Sequence, residues 1–175
     1  NITSESSVIS KYDGVTEIEE LRTVTGTDPE TGKKVEIVIG RLAELRVVDE
    51  NTGIVLTTHT IPYGSKLYIK DGAKVKKNDL ICEWDPYNAL IISEVAGNVS
   101  FDNVIEGITF REESDEQTGF KEKVIVETRD RTKNPLIKIM DAKGELVKNY
   151  NLPVGAHISV SEGDKVKAGE VLVKI

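Results

Sequence analysis

Ile61 to Trp84 reads IPYGSKLYIKDGAKVKKNDLICEW, and Leu152 to Ile175 reads LPVGAHISVSEGDKVKAGEVLVKI. The two stretches align without a gap. Pro62 and Pro153, Gly64 and Gly155, Gly72 and Gly163, Lys74 and Lys165, Val75 and Val166, and Lys76 and Lys167 are identical pairs, and most other positions keep their apolar or polar character. Such self-similarity marks a repeated structural unit.

Working outward, LRVVDENTG ending at Gly53 matches IKIMDAKG ending at Gly144 with one residue of slippage. DPETG from Asp28 to Gly32 matches DEQTG from Asp115 to Gly119, and ISKYDG from Ile9 to Gly14 matches ISEVAG from Ile92 to Gly97. Four pairs in the same order define two copies of one unit, Val8 to Asn88 and Ala89 to Ile175. Modules at 1–88 and 89–175 follow, either in tandem or nested with strands exchanged.

The unit reads as strands, which makes the fold class all-β. Val35, Ile37 and Ile39 alternate with Glu36 and Val38, and Leu67 with Ile69 and Ile158 with Val160 show the period of two of a half-buried strand. Gly32 and Gly119 stand where hairpin loops need positive φ, and Asp71-Gly72 and Glu162-Gly163 are turn signals between apolar runs. Asp85-Pro86-Tyr87-Asn88 is another turn, because proline at its second place has φ already set. Glu17 to Val24 holds some helix formers, but threonines and Gly26 cut it short.

Composition narrows the function. An apolar fraction of 38% and a charged fraction of 30% describe an ordinary globular chain, and no apolar run is long enough to span a bilayer. The net charge of −7 argues against strong direct binding of nucleic acid, which needs a basic face. The acidic groups Glu17, Glu19, Glu20 and Glu112, Glu113, Asp115, Glu116 read as solvated surface. Asn1 to Ser7 lacks the basic and apolar regions of a secretory signal and reads as a loose end. Cys82 is the single cysteine, so no internal disulfide forms, which fits a reducing, cytoplasmic setting.

The residues offer little covalent chemistry. His59, His157 and Cys82 have none of the short spacings of a zinc site. The segment EGDKVKAGEVLVKI is similar to the closing half of a biotinyl or lipoyl carrier domain. A carrier needs a lysine amine on the hairpin that follows. In the first copy that hairpin is Trp84 to Asn88, and no lysine occurs between Lys77 and Lys121. A carrier domain lacking its lysine hairpin, or a free-standing protein-binding module, therefore stands as the alternative function. Trp84, Tyr87 and Tyr63 gather near the first closing turn. Trp84 and Phe101 read as core and Tyr63 as packed on a loop, while Tyr63, Trp84, Tyr87 and Asn88 are the candidates for an inter-module or partner contact.

The ordered combination of PYG at Pro62, DG at Asp71, WDP at Trp84, SEVAGNVSF ending at Phe101, Gly107 and DEQTG ending at Gly119 resembles the large insertion in the trigger loop of the bacterial RNA polymerase β′ subunit. The resemblance covers nearly the whole chain. It implies two sandwich-barrel hybrid modules and no catalytic residue here. The polymerase's Mg2+ and Zn2+ would be bound elsewhere, so this chain is expected to hold no cofactor. It implies as partners the rest of β′ including the jaw and trigger loop, the other core subunits and secondary-channel factors, in the nucleoid-associated cytoplasm. It implies modulation of trigger-loop movement, and through it pausing, elongation and transcript cleavage. It further implies that Asn1 and Ile175 lie near each other.

Overall fold

The computed structural model describes residues 6–28 and 30–175 of the chain. These form eighteen strands and, among the described residues, no helix. Two compact units divide the chain, Asn1–Tyr87 and Asn88–Ile175.

In the first unit the strands are β1 (Ser7–Ile9), β2 (Gly14–Glu19), β3 (Thr23–Thr27), β4 (Lys34–Val38), β5 (Glu44–Val48), β6 (Val55–Thr60), β7 (Lys66–Leu67), β8 (Lys74–Val75) and β9 (Leu80–Glu83). They make a five-stranded sheet ordered β1-β9-β7-β4-β3 and a four-stranded sheet ordered β6-β5-β2-β8. The second unit has β10 (Leu90–Ile92), β11 (Gly97–Asp102), β12 (Phe110–Ser114), β13 (Lys121–Ile125), β14 (Leu136–Met140), β15 (Leu146–Asn151), β16 (His157–Ile158), β17 (Lys165–Val166) and β18 (Val171–Lys174). Its sheets are ordered β10-β18-β16-β13-β12 and β15-β14-β11-β17. Adding nine to each strand number of the first unit gives the second, in the same spatial order. The sequence repeat is thus a repeat of topology.

The matched turns explain why. Gly32 and Gly119 have φ of +70° and +72°, and each donates its N–H to the carbonyl of the aspartate that opens the loop, Asp28 or Asp115. The carboxylates of these aspartates accept the N–H groups of Glu30 and Gln117 at 2.9 and 2.8 Å. A side chain that caps its own loop and a residue free to take positive φ together fix a hairpin and its register. Gly72 and Gly163 also have positive φ, and the acidic residue before each accepts a backbone N–H from a neighbouring strand, Asp71 from Ile18 at 2.9 Å and Glu162 from Phe101 at 2.6 Å. The one-residue slippage is a real difference in loop length. Gly53 bonds back to Asp49 across four positions, Gly144 to Asp141 across three.

Each unit has its own core, drawn from both of its sheets. In the first, Val8, Ile18, Val38, Leu45, Val47, Ile61, Leu67, Val75 and Ile81 cluster. In the second, Ile125, Ile137, Ile139, Leu152, Ile158, Val166 and Leu172 occupy the matching places of Val38, Leu45, Val47, Ile61, Leu67, Val75 and Ile81. Full burial stabilises each such side chain by about 1.5–3 kcal/mol, so Leu45→Ala alone would cost about 2–5 kcal/mol.

The structure corrects two sequence expectations. Ile39 lies beyond β4 and is half-buried, whereas Val38 is fully buried and joins the core. The alternation stops because the N–H of Val38 still pairs, with the carbonyl of Ser65, while that of Ile39 turns to the carbonyl of Arg22. The loose end read over Asn1 to Ser7 is also too long. Ser7 is buried, opens β1 and pairs with Glu83. Residues 1–5 fall outside the described residues, and with them the expected proximity of Asn1 and Ile175.

Candidate functional site

The four residues singled out for contacts have different surroundings. Trp84 follows β9, is half-buried against the first core and donates its backbone N–H to the carbonyl of Ser6 at 2.9 Å. Phe101 on β11 packs in the same partial way against the second core. Tyr63 lies in the loop from β6 to β7, which is kept tight by the Ser65 hydroxyl donating to the Pro62 carbonyl at 2.6 Å. The guanidinium carbon of Arg41 stands 4.3 Å from the Tyr63 ring centroid, a cation–π contact. Trp84 and Phe101, expected as core, are only partly buried against the two cores, and Tyr63 packs in its loop against Arg41. Tyr87 is 88% exposed, with its N–H donating to the Asp85 carboxylate at 2.9 Å as the proline turn requires, and Asn88 is exposed.

The remaining candidates for chemistry are buried or hydrogen-bonded within the fold. Cys82 is fully buried in the first core, and burial pushes its thiol up to about 11, which keeps it protonated at neutral pH. His157 Nδ1 lies 2.8 Å from Glu122, and His59 Nε2 lies 3.1 Å from the Thr57 hydroxyl. Burial first, and Lys11 second, hold the His59 imidazole below its ordinary value. Among the described residues no group of three or more His, Cys, Asp or Glu side chains is placed to hold a metal ion. The acidic groups lie largely in solvent, but not idly: Glu19 and Glu44 pair with Arg46, and Glu113 pairs with Arg111. No helix among the described residues is long and apolar enough to cross a membrane.

One feature escaped the sequence reading. A groove of about 610 Å3 opens on the first unit, with Thr23, Thr25, Glu36, Leu67, Tyr68 and Glu83 in its lining. The hydroxyls of Thr23 and Thr25 donate to the Glu36 carboxylate at 2.9 and 2.8 Å, and the Tyr68 hydroxyl donates to Glu83 at 2.5 Å. Burial and Glu83 raise the Tyr68 phenol, so it stays neutral. Lys66 meets Asp28 at 3.5 Å. These polar groups satisfy one another. The signal that could have found the groove is the pair of threonines two apart on β3, facing Glu36 across the hairpin.

Fold and site together define an all-β module built twice over, whose exposed features are turns, strand edges and a groove. Comparison with known proteins places it. No protein-family model matches the chain. It is 56% identical over 175 residues to the DNA-directed RNA polymerase subunit β′ of Parabacteroides distasonis, covering 100% of this chain and 12% of that protein. It is 57% identical over 175 residues to the same subunit of Azobacteroides pseudotrichonymphae, again 100% and 12%. With the subunit of Flavobacterium johnsoniae it shares 52% over 174 residues, 99% of this chain and 12% of that one. The chain belongs to the β′-subunit family of DNA-directed RNA polymerases, as the counterpart of one segment of that subunit. It spans about one-eighth of the length of the curated relatives it matches.

Proposed function

We propose that the chain is a non-catalytic insertion in the β′ polypeptide, made of two sandwich-barrel hybrid modules at 1–88 and 89–175, that modulates movement of the trigger loop. The single observation that carries this reading is the correspondence of the entire chain to one contiguous segment, 12% of the length of β′, in relatives from several genera. A segment with two cores of its own is a domain set into a larger polypeptide. Turns pinned by their own aspartates and a Cys82 sealed in the core fit a mechanical role.

A bulky domain tethered to a loop that refolds in each catalytic cycle meets different neighbours in the two states. It biases their equilibrium by the difference in contact free energy. A difference of about 1.4 kcal/mol changes the population ratio tenfold. Pausing, elongation rate and transcript cleavage are the quantities that respond. The partners are the rest of β′ including jaw and trigger loop, the other core subunits and secondary-channel factors, in the cytoplasm. Tyr63, Trp84, Tyr87 and Asn88 are the residues of the partner or inter-module contact, and Mg2+ and Zn2+ belong to other parts of the polymerase.

Deleting Val8 to Ile175 from the parent polymerase tests this. The expected enzyme still forms phosphodiester bonds and shows altered pause lifetimes or cleavage rates. Loss of bond formation under all conditions, or unchanged pausing, elongation and cleavage, refutes it.

A further inference from the structure

The two units share one architecture, so where their surfaces differ each serves as a control for the other. Strand β6 and its counterpart β15 are free edges of matching four-stranded sheets. An unpaired edge is a template for strand addition, and proteins ordinarily guard it with charge. Edge β15 is guarded: Lys148 lies on it and pairs with Glu94, and Lys143 and Glu145 stand in the turn that leads into it. Edge β6 is not. From Asn51 to Ser65 there is no Asp, Glu, Lys or Arg, in a chain 30% charged. Thr57 stands where the second unit has Lys148, and Lys11 where it has Glu94, so the guarding pair is missing. Both edges start with exposed apolar residues, Ile54 and Val55 at 61% and 48% here and Leu146 and Val147 at 50% and 46% on β15, so charge is what distinguishes them. The depressed His59 leaves the strand uncharged at neutral pH.

The stripe continues past the end of β6. Ile61 donates its N–H to the carbonyl of Ala43, which brings Leu42, 74% exposed, beside Pro62 and Tyr63. There Arg41, exposed and held over Tyr63, makes no ion pair among the described residues. Strand β3 is also an uncharged edge, but Gly26 interrupts it and Thr23 and Thr25 are committed to Glu36.

We propose that the free edge of β6, from Ile54 to Thr60 and on to Leu42 and Arg41, pairs with an extended strand from elsewhere in the β′ polypeptide. That strand is uncharged along its middle and carries a carboxylate that meets Arg41. Main-chain hydrogen bonds give such pairing its affinity and side-chain pockets its specificity. The occupant belongs to the same polypeptide because this chain spans only 12% of its relatives, and covalent linkage makes the pairing intramolecular. A carboxylate matches a guanidinium whose ring contact leaves its N–H edge open. The inference rests on the reading that the chain is set within β′.

The test uses the polymerase that carries this chain. By hydrogen exchange, the amides of Val55–Thr60 are expected to exchange at least tenfold more slowly than those of Leu146–Asn151, the equivalent edge. The Thr58→Lys variant is expected to abolish the difference while β5 amides stay protected. If that variant disturbs β5, Arg41→Glu replaces it, with at least a threefold loss of cross-linking expected. A photo-cross-linking residue at Ile54 is expected to label a distant β′ segment containing Asp or Glu. Equal exchange at the two edges overturns the proposal, as does cross-linking to another subunit, to a factor, to a second polymerase or to nothing. A deletion that alters pausing while β6 stays unprotected sinks only the docking. A protected β6 with unchanged pausing sinks only the regulatory reading.

Discussion

Replacing Gly14 with alanine tests the packing of the first unit at its tightest point. A Cβ at Gly14 would stand 2.4 Å from the Val48 carbonyl oxygen and 2.9 Å from Val47 Cγ1. The first of these is backbone of β5, directly paired with β2, so no side-chain rotation relieves it. Overpacking of this kind costs about 1–3 kcal/mol. Against it stands the entropy gained by removing a glycine from the unfolded chain, about 0.4–1 kcal/mol. The net loss is about 1–2 kcal/mol. Trp84 is the single tryptophan and packs on this unit's core, so its fluorescence reports the unfolding of this unit. With a urea slope of about 1–2 kcal/mol per molar, the Trp84 midpoint should fall by about 1 M. Gly53→Ala is the comparison: φ is +71° but nothing lies within 4 Å of the new Cβ, so backbone strain acts without a clash. A Gly14→Ala midpoint equal to wild type, or above that of Gly53→Ala, would refute the argument that close strand approach requires glycine at that position.

Three further outcomes follow from the described geometry. Cys82, with its thiol near 11 and no exposure, should react with a thiol reagent at pH 8 at least tenfold more slowly in the native chain than after denaturation; equal rates would contradict its burial. His59 should titrate by NMR below its ordinary 6.5, because burial and Lys11 disfavour the imidazolium. The native state then binds fewer protons than the unfolded one, so stability falls as pH drops below about 6.5 and levels off once the native value is passed, a component that His59→Gln should remove. The Asp28 and Asp49 carboxyls should both titrate below 3.8, held down chiefly by the backbone N–H groups of Glu30 and Thr52 respectively. Their stabilisation is present above that pH and is lost on acidification through the lowered values, and chemical shifts that move at or above 3.8 would count against the loop caps.

Much of the fold was legible in the sequence because its information sits in turns. Gly64 and Gly155, and Gly72 and Gly163, are identical pairs because each takes positive φ, a demand of backbone geometry that tolerates few substitutes. Asn78 takes the place of Gly169 in the same left-handed conformation, one of the few exchanges such a site permits. Strand ends were less legible. Whether Val38 or Ile39 closes β4 depends on where the N–H groups find partners, Ser65 or Arg22, and both partners are remote in sequence. The groove was invisible for a related reason, since Tyr68 meets Glu83 and Lys66 meets Asp28 only after β4, β7 and β9 have paired. Tyr63 was picked out by residue type, but its partner Arg41 was not, because the loop between β4 and β5 carries no motif.

The two units also separate what builds this fold from what it presents to others. Positions that hold the architecture agree in chemistry even when residues change: Asp71 and Glu162 differ by a methylene, yet each accepts an N–H from the strand beside it. Ser10 and Ser93 each donate a hydroxyl to the carbonyl two residues on, both at 2.6 Å. Positions facing outward do the reverse. Lys11 and Thr57 replace Glu94 and Lys148, turning a paired charge into a neutral edge beside a lysine that makes no ion pair among the described residues, with no change in the strand order beneath. A repeat under only structural demand has no reason to strip one edge of charge while guarding the other, since an unguarded edge invites aggregation. The proposed pairing of the first unit's edge accounts for this asymmetry, and a purely structural repeat does not.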